Sequence, residues 1–198
     1  MTAGRATTKR YHHGDLRAEL VRIGRMQLES EDAPSLRGIA RQADVSHGAP
    51  VHHFPTWAHL MAACAADGFR ELSRDLAETS APDGAPGERL GRMAAAYLAF
   101  AQRNPVVFRL MFNRSALTER TDEFLAESGA AYALLRRAVR DLDPEMSDER
   151  FDTLINTVWG LIHGISVLEL EEQICRSSGE TTATAAFLER SVRRLIEG

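Results

Sequence analysis

Apolar side chains recur every three or four residues along most of the chain, which is the periodicity of amphipathic α-helices. Prolines, glycines and N-capping residues stand at the ends of these runs, where helices start and stop. No stretch alternates strictly between apolar and polar residues, as a half-buried strand would. The pattern therefore predicts an all-α protein. Its nine predicted helices cover residues 14–29, 36–43, 47–54, 57–78, 88–103, 105–113, 118–141, 148–174 and 181–197.

The clearest break in the pattern is at residues 79–87, which contain two prolines and two glycines. Such a segment predicts a loop and is a candidate domain boundary. The helix before it, 57–78, has apolar positions on more than one face, which is typical of a helix packed between two bodies. We expect an N-terminal domain of three helices over residues 1–58 and a C-terminal domain of six helices over residues 59–198.

Residues 35–54 predict two short helices joined by a tight turn. Leu36 and Ile39 begin an apolar stripe on the first helix. Ser35 and Ser46 precede the two helices and are placed to cap them. This is the spacing of a helix-turn-helix, whose second helix enters a major groove with its N-terminal residues at the base edges. The alternative is a pair of amphipathic helices in an ordinary all-α domain, and these residues alone do not separate the two.

The net charge of the chain is −4, but the charge is unevenly distributed. Residues 1–60 carry eight Lys and Arg against six Asp and Glu, together with six of the seven histidines. The rest of the chain carries 16 Lys and Arg against 22 Asp and Glu. A basic end before an acidic body favours a protein that contacts nucleic acid with its N-terminal part. Arg10 lies in a basic arm, residues 1–10, that either contacts DNA phosphates or is a tail without function.

The sequence argues against several other classes of protein. No apolar run reaches the about 18 residues of a membrane span, and the N-terminus lacks the apolar segment of a signal peptide. Cys64 and Cys175 match no disulfide or metal spacing, which favours reduced thiols in a cytoplasmic protein. The histidines lack zinc-ligand spacing, and no nucleophile motif, phosphate loop or paired carboxylates indicate an enzyme. We expect no metal, no cofactor and no catalysis.

Several short motifs carry a resemblance to a known family. They are Tyr11-His-His-Gly-Asp-Leu-Arg17, Ser35-Leu-Arg-Gly-Ile-Ala40, Val45-Ser46 and His53-Phe54-Pro55, with Leu60 one turn into the next helix. These motifs resemble the DNA-binding domain of the tetracycline-repressor (TetR) family of bacterial transcriptional regulators, and the chain length and nine-helix layout fit that family throughout. The segment Trp159-Gly-Leu-Ile-His163-Gly164 resembles the signature of a subgroup named for its WHG C-terminal domain.

The resemblance implies a homodimer that binds two half-sites of a palindromic operator in double-stranded DNA and is released by a small molecule. It implies base contacts from the start of the second short helix. It implies phosphate contacts from the rest of that helix and from the start of the first. The DNA-contacting positions carried over in this way, besides Arg10 of the basic arm, are Ser35, Arg37, Ser46, His47, Gly48, Ala49, Val51, His52 and His53.

Three positions depart from the family pattern. Val51 stands where the family usually has Tyr, Trp57 where it has Lys, and Asp44 where it has Gly. The first two remove phosphate contacts and the third adds a negative charge, although Asp tolerates unusual turn dihedrals. The alternative function is therefore a small-molecule-binding helical protein whose DNA binding is weakened or lost. His52 and the basic arm are candidates to replace the missing contacts, and a histidine contact would strengthen binding in mildly acidic buffer.

The resemblance also implies a ligand pocket in the C-terminal domain, where aromatic and methionine side chains are frequent. Tyr97 and His163 are the polar groups expected to contact a small, otherwise apolar effector whose identity the sequence does not give. The alternative is that all of these side chains form plain core. The candidate lining residues are Met93, Tyr97, Phe100, Phe108, Met111, Phe112, Trp159 and His163.

The last two helices are expected to form the dimer by packing against their two-fold copies as a four-helix bundle. The alternative is that the same apolar faces are buried within one protomer. The candidate interface residues are Val167, Leu168, Leu188, Val192 and Leu195.

Overall fold

The computed structural model describes residues 13–30, 34–79, 84–174 and 181–197. Arg10 and Cys175 lie outside the described residues. Within these ranges the predicted all-α fold is confirmed, and each predicted helix is found with its ends displaced by at most four residues. The helices are α1 (His13–Leu28), α2 (Leu36–Gln42), α3 (Ala49–His53), α4 (Trp57–Thr79), α5 (Pro86–Arg103), α6 (Pro105–Phe112), α7 (Asp122–Arg140), α8 (Asp148–Leu170) and α9 (Thr181–Glu197).

Local sequence signals set several of the helix starts. The Ser35 hydroxyl caps α2 by accepting a hydrogen bond from the backbone N–H of Gly38 at 3.1 Å, as predicted. Thr121 and Ser147 cap α7 and α8 in the same way. Pro105 opens α6 at a position where a backbone N–H has no partner within the helix. Capping hydroxyls and a proline thus determine where these four helices begin.

The first three helices form a unit, here called the head, which packs on the start of α4. Leu20 and Ile23 of α1, Ile39 of α2 and Leu60 of α4 are fully buried, and the Phe54 ring after α3 is also buried. Burial of these side chains fixes the inner faces of α2 and α3. Their outer faces are left in solvent.

α4 is the central helix, because it packs on α1 of the head and on α5, α6 and α7. The helices from α4 onward are here called the body. At Gly68, α4 comes so close to α6 that an added Cβ would lie 2.7 Å from Val107 Cγ1 and 2.8 Å from Met111 Sδ. The sequence-based expectation that this helix packs on both sides is confirmed. A domain division at residue 58 stays a prediction, since α4 belongs to both packing units.

α9 packs along α5, and this determines the position of three predicted interface residues. Leu188 and Val192 are fully buried inside the protomer, so their assignment to the dimer interface is wrong. Leu195 is half-buried against the same core. By contrast, Val167 and Leu168 of α8 are 38% and 42% exposed, and they stay candidates for an interface.

Charged side chains of α1, α4 and α7 meet where the head contacts the body, and we call them the head–body ion cluster. Arg17 of α1 pairs with Glu123 of α7. Arg70 of α4 holds the same carboxylate at 3.1 Å. The cluster therefore connects the head directly to the N-terminus of α7. Its members are Arg17, Arg25, Asp67, Arg70, Glu71, Glu123 and Glu127.

Arg25 is the most buried cation of this cluster, with 17% of its side chain exposed. Helical periodicity alone would put Arg25 on the outer face of α1, but its side chain faces α4 instead. Its guanidinium lies 2.6 Å from Asp67 and 2.8 Å from Glu71. Burial alone would lower the pKa of Arg25, but the hydrogen bonds to Glu71 and Asp67 raise it above its ordinary value. Arg25 is therefore a fixed positive charge between α1 and α4.

Candidate DNA-binding surface and ligand cavity

One residue with a left-handed backbone makes the sharp turn between α2 and α3. α2 ends at Gln42, and Asp44 has a φ of 53°. The Val45 N–H then bonds back to the Ala40 carbonyl oxygen at 3.1 Å, and the Val45 side chain packs on the core. The predicted turn is confirmed. Asp is one of the few residues other than Gly that adopt this conformation at modest cost.

α3 is shorter than the sequence predicts. It begins at Ala49, so His47 and Gly48 form a turn before the helix. Gly48 is the N-cap residue, and no side chain caps this helix. The prediction that the Ser46 hydroxyl caps it is therefore wrong. The Ser46 carbonyl oxygen instead accepts a hydrogen bond from the Ala49 N–H at 3.0 Å.

The outer side of α2 and α3 is rich in the residues predicted to contact DNA. Arg37 has no acidic partner among the described residues, and Asp44 is the only acidic residue between positions 34 and 56. Ala49 and His53 are half-buried. The surface therefore offers polar side chains and an unpaired cation. The exposed members of the predicted set are Ser35, Arg37, Ser46, His47, Gly48, Val51 and His52.

A cavity of about 460 Å³ lies in the body, which is within the size range of small-molecule sites. Helices α4, α5, α6, α7 and α8 all contribute to its wall. Aromatic side chains are prominent in this wall, and the remaining lining is largely aliphatic. The aromatic lining residues are Phe69, Tyr97, Phe112, Phe124, Tyr132 and Trp159.

The structure separates the predicted ligand residues into two groups. Phe100 and Phe108 are 0% and 1% exposed and belong to the core, and His163 lies behind the cavity wall, so their assignment as lining residues is wrong. Helical spacing shows that a side chain points inward, but it does not distinguish solid core from a cavity wall. The predicted residues that do line the cavity are Met93, Tyr97, Met111, Phe112 and Trp159.

Tyr97 of the cavity wall forms a polar pair with His163 behind it. The Tyr97 hydroxyl lies 2.9 Å from His163 Nδ1. Burial raises the pKa of Tyr97 far above its ordinary value, with a hydrogen bond to Trp159 acting in the opposite direction. Burial also lowers the pKa of His163, so both groups favour their neutral forms. The imidazole ring packs 4.5 Å from the Phe112 ring, measured between centroids, and thereby supports the wall from behind.

Sequence reasoning missed the contribution of α7 and the loop before it. Phe124, Tyr132 and Leu135 of α7 line the cavity, as do Arg114 and Arg120 of the loop. The apolar stripe of α7 was visible in the sequence, but nothing local indicated that it faces an open space. The arginines gave no signal at all, because arginine is frequent throughout the chain.

The described residues contain no group of three or more His, Cys, Asp or Glu side chains that could hold a metal ion. Cys64 is buried between α1 and α4, and burial raises the pKa of its thiol to about 12. Within the described part of the chain, the candidate functional sites are therefore the outer side of α2 and α3 and the cavity in the body.

An exposed helix-turn-helix head that packs on the long α4 of an all-helical body with an apolar cavity is the architecture of a helix-turn-helix regulator. A family model described as the C-terminal domain of tetracyclin repressor-like proteins matches residues 90–195, which is more than half of the chain. The chain therefore belongs to the tetracycline-repressor-like (TetR) family. This match does not distinguish the WHG subgroup, which stays a prediction.

The chain is also similar to individual proteins. The HTH-type transcriptional repressor KstR of Mycolicibacterium smegmatis is 23% identical over 130 residues, a match that covers 65% of this chain and 64% of that protein. A protein of unknown function from Rhodococcus sp. RHA1 superposes with a TM-score of 0.78 at 24% identity, covering 94% of this chain and 97% of the other. A TetR-like transcriptional regulator from the same organism superposes with a TM-score of 0.65 at 17% identity, covering 96% and 100%. At these identities the solved structures establish the shared fold.

Proposed function

We propose that the protein is a dimeric, DNA-binding transcriptional repressor that a small, largely apolar ligand releases from a palindromic operator. The observation that supports this proposal best is the combination of an exposed helix-turn-helix with an apolar cavity in the body behind it. The bacterial relatives are regulators, and a protein that acts on chromosomal DNA works in the cytoplasm. Family membership and the absence of a catalytic motif favour a binding protein over an enzyme.

For DNA recognition, we assign base contacts to the turn and first residues of α3 and phosphate contacts to α2. We assign His47, Gly48 and Ala49 to the entry of a major groove. We assign Arg37 and Ser35 at the start of α2 to the phosphates, for which a guanidinium and a hydroxyl are suitable donors. Half-site centres should then be one helical turn of DNA, or a small multiple, apart.

For dimerisation, α8 offers an apolar surface that its own protomer leaves uncovered. α8 is the one helix of the described chain that is long and apolar enough, by length and composition, to cross a membrane, yet only 28% of its most apolar stretch is buried. Gly160, Gly164 and Val167 share one face of α8, and Cβ atoms added at the two glycines would meet nothing within 4 Å. A second copy of α8 packed there would bury this apolar face, as the family relationship suggests.

For ligand release, we place the signal on α4 and α7, since both helices line the cavity and both contact the head. Phe69 and Phe124 line the cavity. Their neighbours Arg70 and Glu123 belong to the head–body ion cluster. A ligand that favours another arrangement of these two helices would change the separation of the two heads and so weaken operator binding.

The decisive experiment is a fluorescence-anisotropy titration of the protein with DNA from upstream of its own gene. Saturable binding that weakens steeply with salt is expected, because each phosphate contact releases counterions. Replacing Arg37 by Ala should weaken binding roughly tenfold and lower the salt dependence by about two contacts, one from each protomer.

Arg137→Ala is the matched control, since Arg137 is an exposed arginine of α7 in the body. It should leave the titration unchanged. Absence of any saturable binding would favour the alternative function, a ligand-binding helical protein that has lost DNA binding, for which Val51, Trp57 and Asp44 are the motivating residues.

Replacing Asp44 by Gly is expected to improve both folding and DNA binding. Gly adopts a positive φ freely, so the free energy of unfolding should rise by about 0.5–1 kcal/mol. Removal of the carboxylate should also strengthen operator binding. Asp44→Asn separates the two effects, since Asn tolerates the same backbone and lacks the charge. Denaturant unfolding and operator titrations of both variants test this. Unchanged affinity in both would show that Asp44 does not oppose DNA binding.

A further inference from the structure

We propose that the cavity takes an apolar acid, whose apolar body lies among the aromatic side chains and whose carboxylate lies at the mouth beside Arg114 and Arg120. The inference rests on the proposed function, because it names the class of molecule that occupies the same site. It assigns a charge to the ligand and a recognition role to two loop arginines.

Among the residues that the structure describes, the wall of the cavity carries charge of one sign only. Arg114 and Arg120 both line it, and no described Asp or Glu does. The rest of the lining is largely aliphatic and aromatic, which favours any apolar body by removing its surface from water. Two cations at the edge of an apolar cavity favour an anion attached to that body over a neutral or cationic molecule.

Two neutral polar groups of the wall already have partners within the protein. The Tyr97 hydroxyl bonds to His163. The Ser128 hydroxyl donates to the Leu125 carbonyl oxygen at 3.2 Å. The arginines are different, because neither has an ion-pair partner among the residues that the structure describes. Their guanidinium groups present parallel N–H donors that match a carboxylate.

Two other arginines close to the loop are also exposed, yet both have ion-pair partners. Exposure alone therefore does not explain why Arg114 and Arg120 lack them among the described residues. Arg103 at the end of α5 lies 2.5 Å from Asp75. Arg109 of α6, which precedes the loop, lies 2.9 Å from Glu171. Both of these cations are used to hold helices together, whereas the two loop arginines are not.

The acidic residues closest to Arg120 in the sequence do not neutralise the cavity. Glu119 and Asp122 are exposed and lie outside the lining. Glu123 is held by Arg17 and Arg70 in the head–body ion cluster. The positive charge at the mouth therefore stays available to a ligand.

The loop that carries both arginines is held by its own hydrogen bonds. The Asn113 side-chain oxygen accepts from the backbone N–H groups of Ser115 and Ala116 at 3.0 and 3.1 Å. Its carbonyl oxygen accepts from the Leu117 N–H at 3.0 Å. Leu117 is itself buried in the cavity wall. An anchored loop lowers the conformational entropy that a ligand must remove when it binds.

The exposure of both arginines places the ion pair at the boundary with water. A carboxylate there keeps part of its hydration, whereas burial deeper among the aromatic rings would carry a large desolvation cost. A boundary ion pair is also screened by dissolved salt. Acid binding should therefore weaken as salt concentration rises, and binding of a neutral analogue should not.

Isothermal titration calorimetry of the full chain without DNA tests the proposal with two matched pairs, 2-naphthoate against 2-naphthol and decanoate against decanol. We expect at least one acid to bind tenfold or more tightly than its alcohol. The double variant Arg114→Gln/Arg120→Gln should lose about tenfold in affinity for that acid and keep its affinity for the alcohol. Each single variant should lose roughly threefold, and Arg137→Gln should lose nothing.

Two outcomes would overturn the proposal: alcohols that bind as tightly as acids, and acid affinity that the double variant leaves unchanged. Failure of all four probes to bind would overturn it as well. None of these readouts involves DNA. A protein that binds the acids but no operator would contradict the proposed function alone, and a protein that binds its operator but no acid would contradict the ligand class alone.

Discussion

A protein in which Gly164 is replaced by Trp is expected to be monomeric and to bind its operator at least 100-fold more weakly than the original. In the protomer, a Cβ added at this position meets no atom within 4 Å beyond its own helix backbone and chain neighbours, so a larger side chain can start there without a clash. A second copy of α8 packed on the same face would collide with it. Val167 and Leu168, one turn further along α8, would then stay exposed.

The expected loss in affinity follows from the two heads of the proposed dimer. Once one head is bound, the second binds its half-site as an intramolecular event, which adds roughly 10²–10⁴ to the overall affinity. A monomer lacks this gain, although its single head keeps its own DNA contacts. Far-ultraviolet circular dichroism should show unchanged helix content, because an added Cβ at this position meets open space in the protomer.

Sedimentation velocity at micromolar concentration and operator titration are the two measurements. Gly129→Trp is the matched control, since Gly129 of α7 also has no atom within 4 Å of an added Cβ. This control should stay dimeric and bind DNA normally. Gly160→Trp should behave like Gly164→Trp. If both α8 variants sediment as dimers, α8 is not the interface.

Replacing Gly68 by Leu is expected to lower the free energy of unfolding by about 3 kcal/mol, near the upper end of overpacking effects. An added Cβ there would lie 2.7 Å from Val107 Cγ1, and the branched Val107 side chain is stiff in a helix. Met111, at 2.8 Å, is more flexible but also borders the cavity. α4 and α6 would have to separate to accept the new side chain.

The same substitution at Gly129 should have the opposite sign. Gly129 lies in α7 with open space around it, so Leu should stabilise the helix by roughly 0.5–1 kcal/mol through its higher helix propensity. Denaturant unfolding of the two variants in parallel measures the difference. Equal effects at both positions would show that α4 and α6 are not closely packed at Gly68.

The sequence allowed the helical framework to be predicted, since helix boundaries depend on residues close in the chain. Ser35 and Pro105 specify the starts of α2 and α6 through local hydrogen bonding and local sterics. Ser46 shows where this reasoning stops. A serine ahead of a helix is a good capping candidate, but the backbone places Gly48 at the N-cap position of α3.

The cavity and the interface could be predicted only in part, because both depend on which helices become neighbours. Leu188 and Val192 have the periodicity of an interface stripe, yet α5 covers them within the protomer. Phe108 and Phe112 look alike in sequence, but only Phe112 borders the cavity. Arg114 and Arg120 owe their proposed role to the cavity beside them, which no local sequence pattern encodes.

Dissolved salt should act on this protein at two places, because the head–body ion cluster and the DNA contacts both depend on attraction between opposite charges. Chloride screens Arg17 and potassium screens Glu123, because this ion pair is partly exposed, and potassium likewise screens DNA phosphates. Under the proposed function, osmotic stress that raises the salt concentration inside the cell should weaken operator binding and also loosen the head–body ion cluster through which the ligand would act. The ratio of operator affinity without ligand to operator affinity with ligand should accordingly be larger in dilute buffer than at high salt concentration.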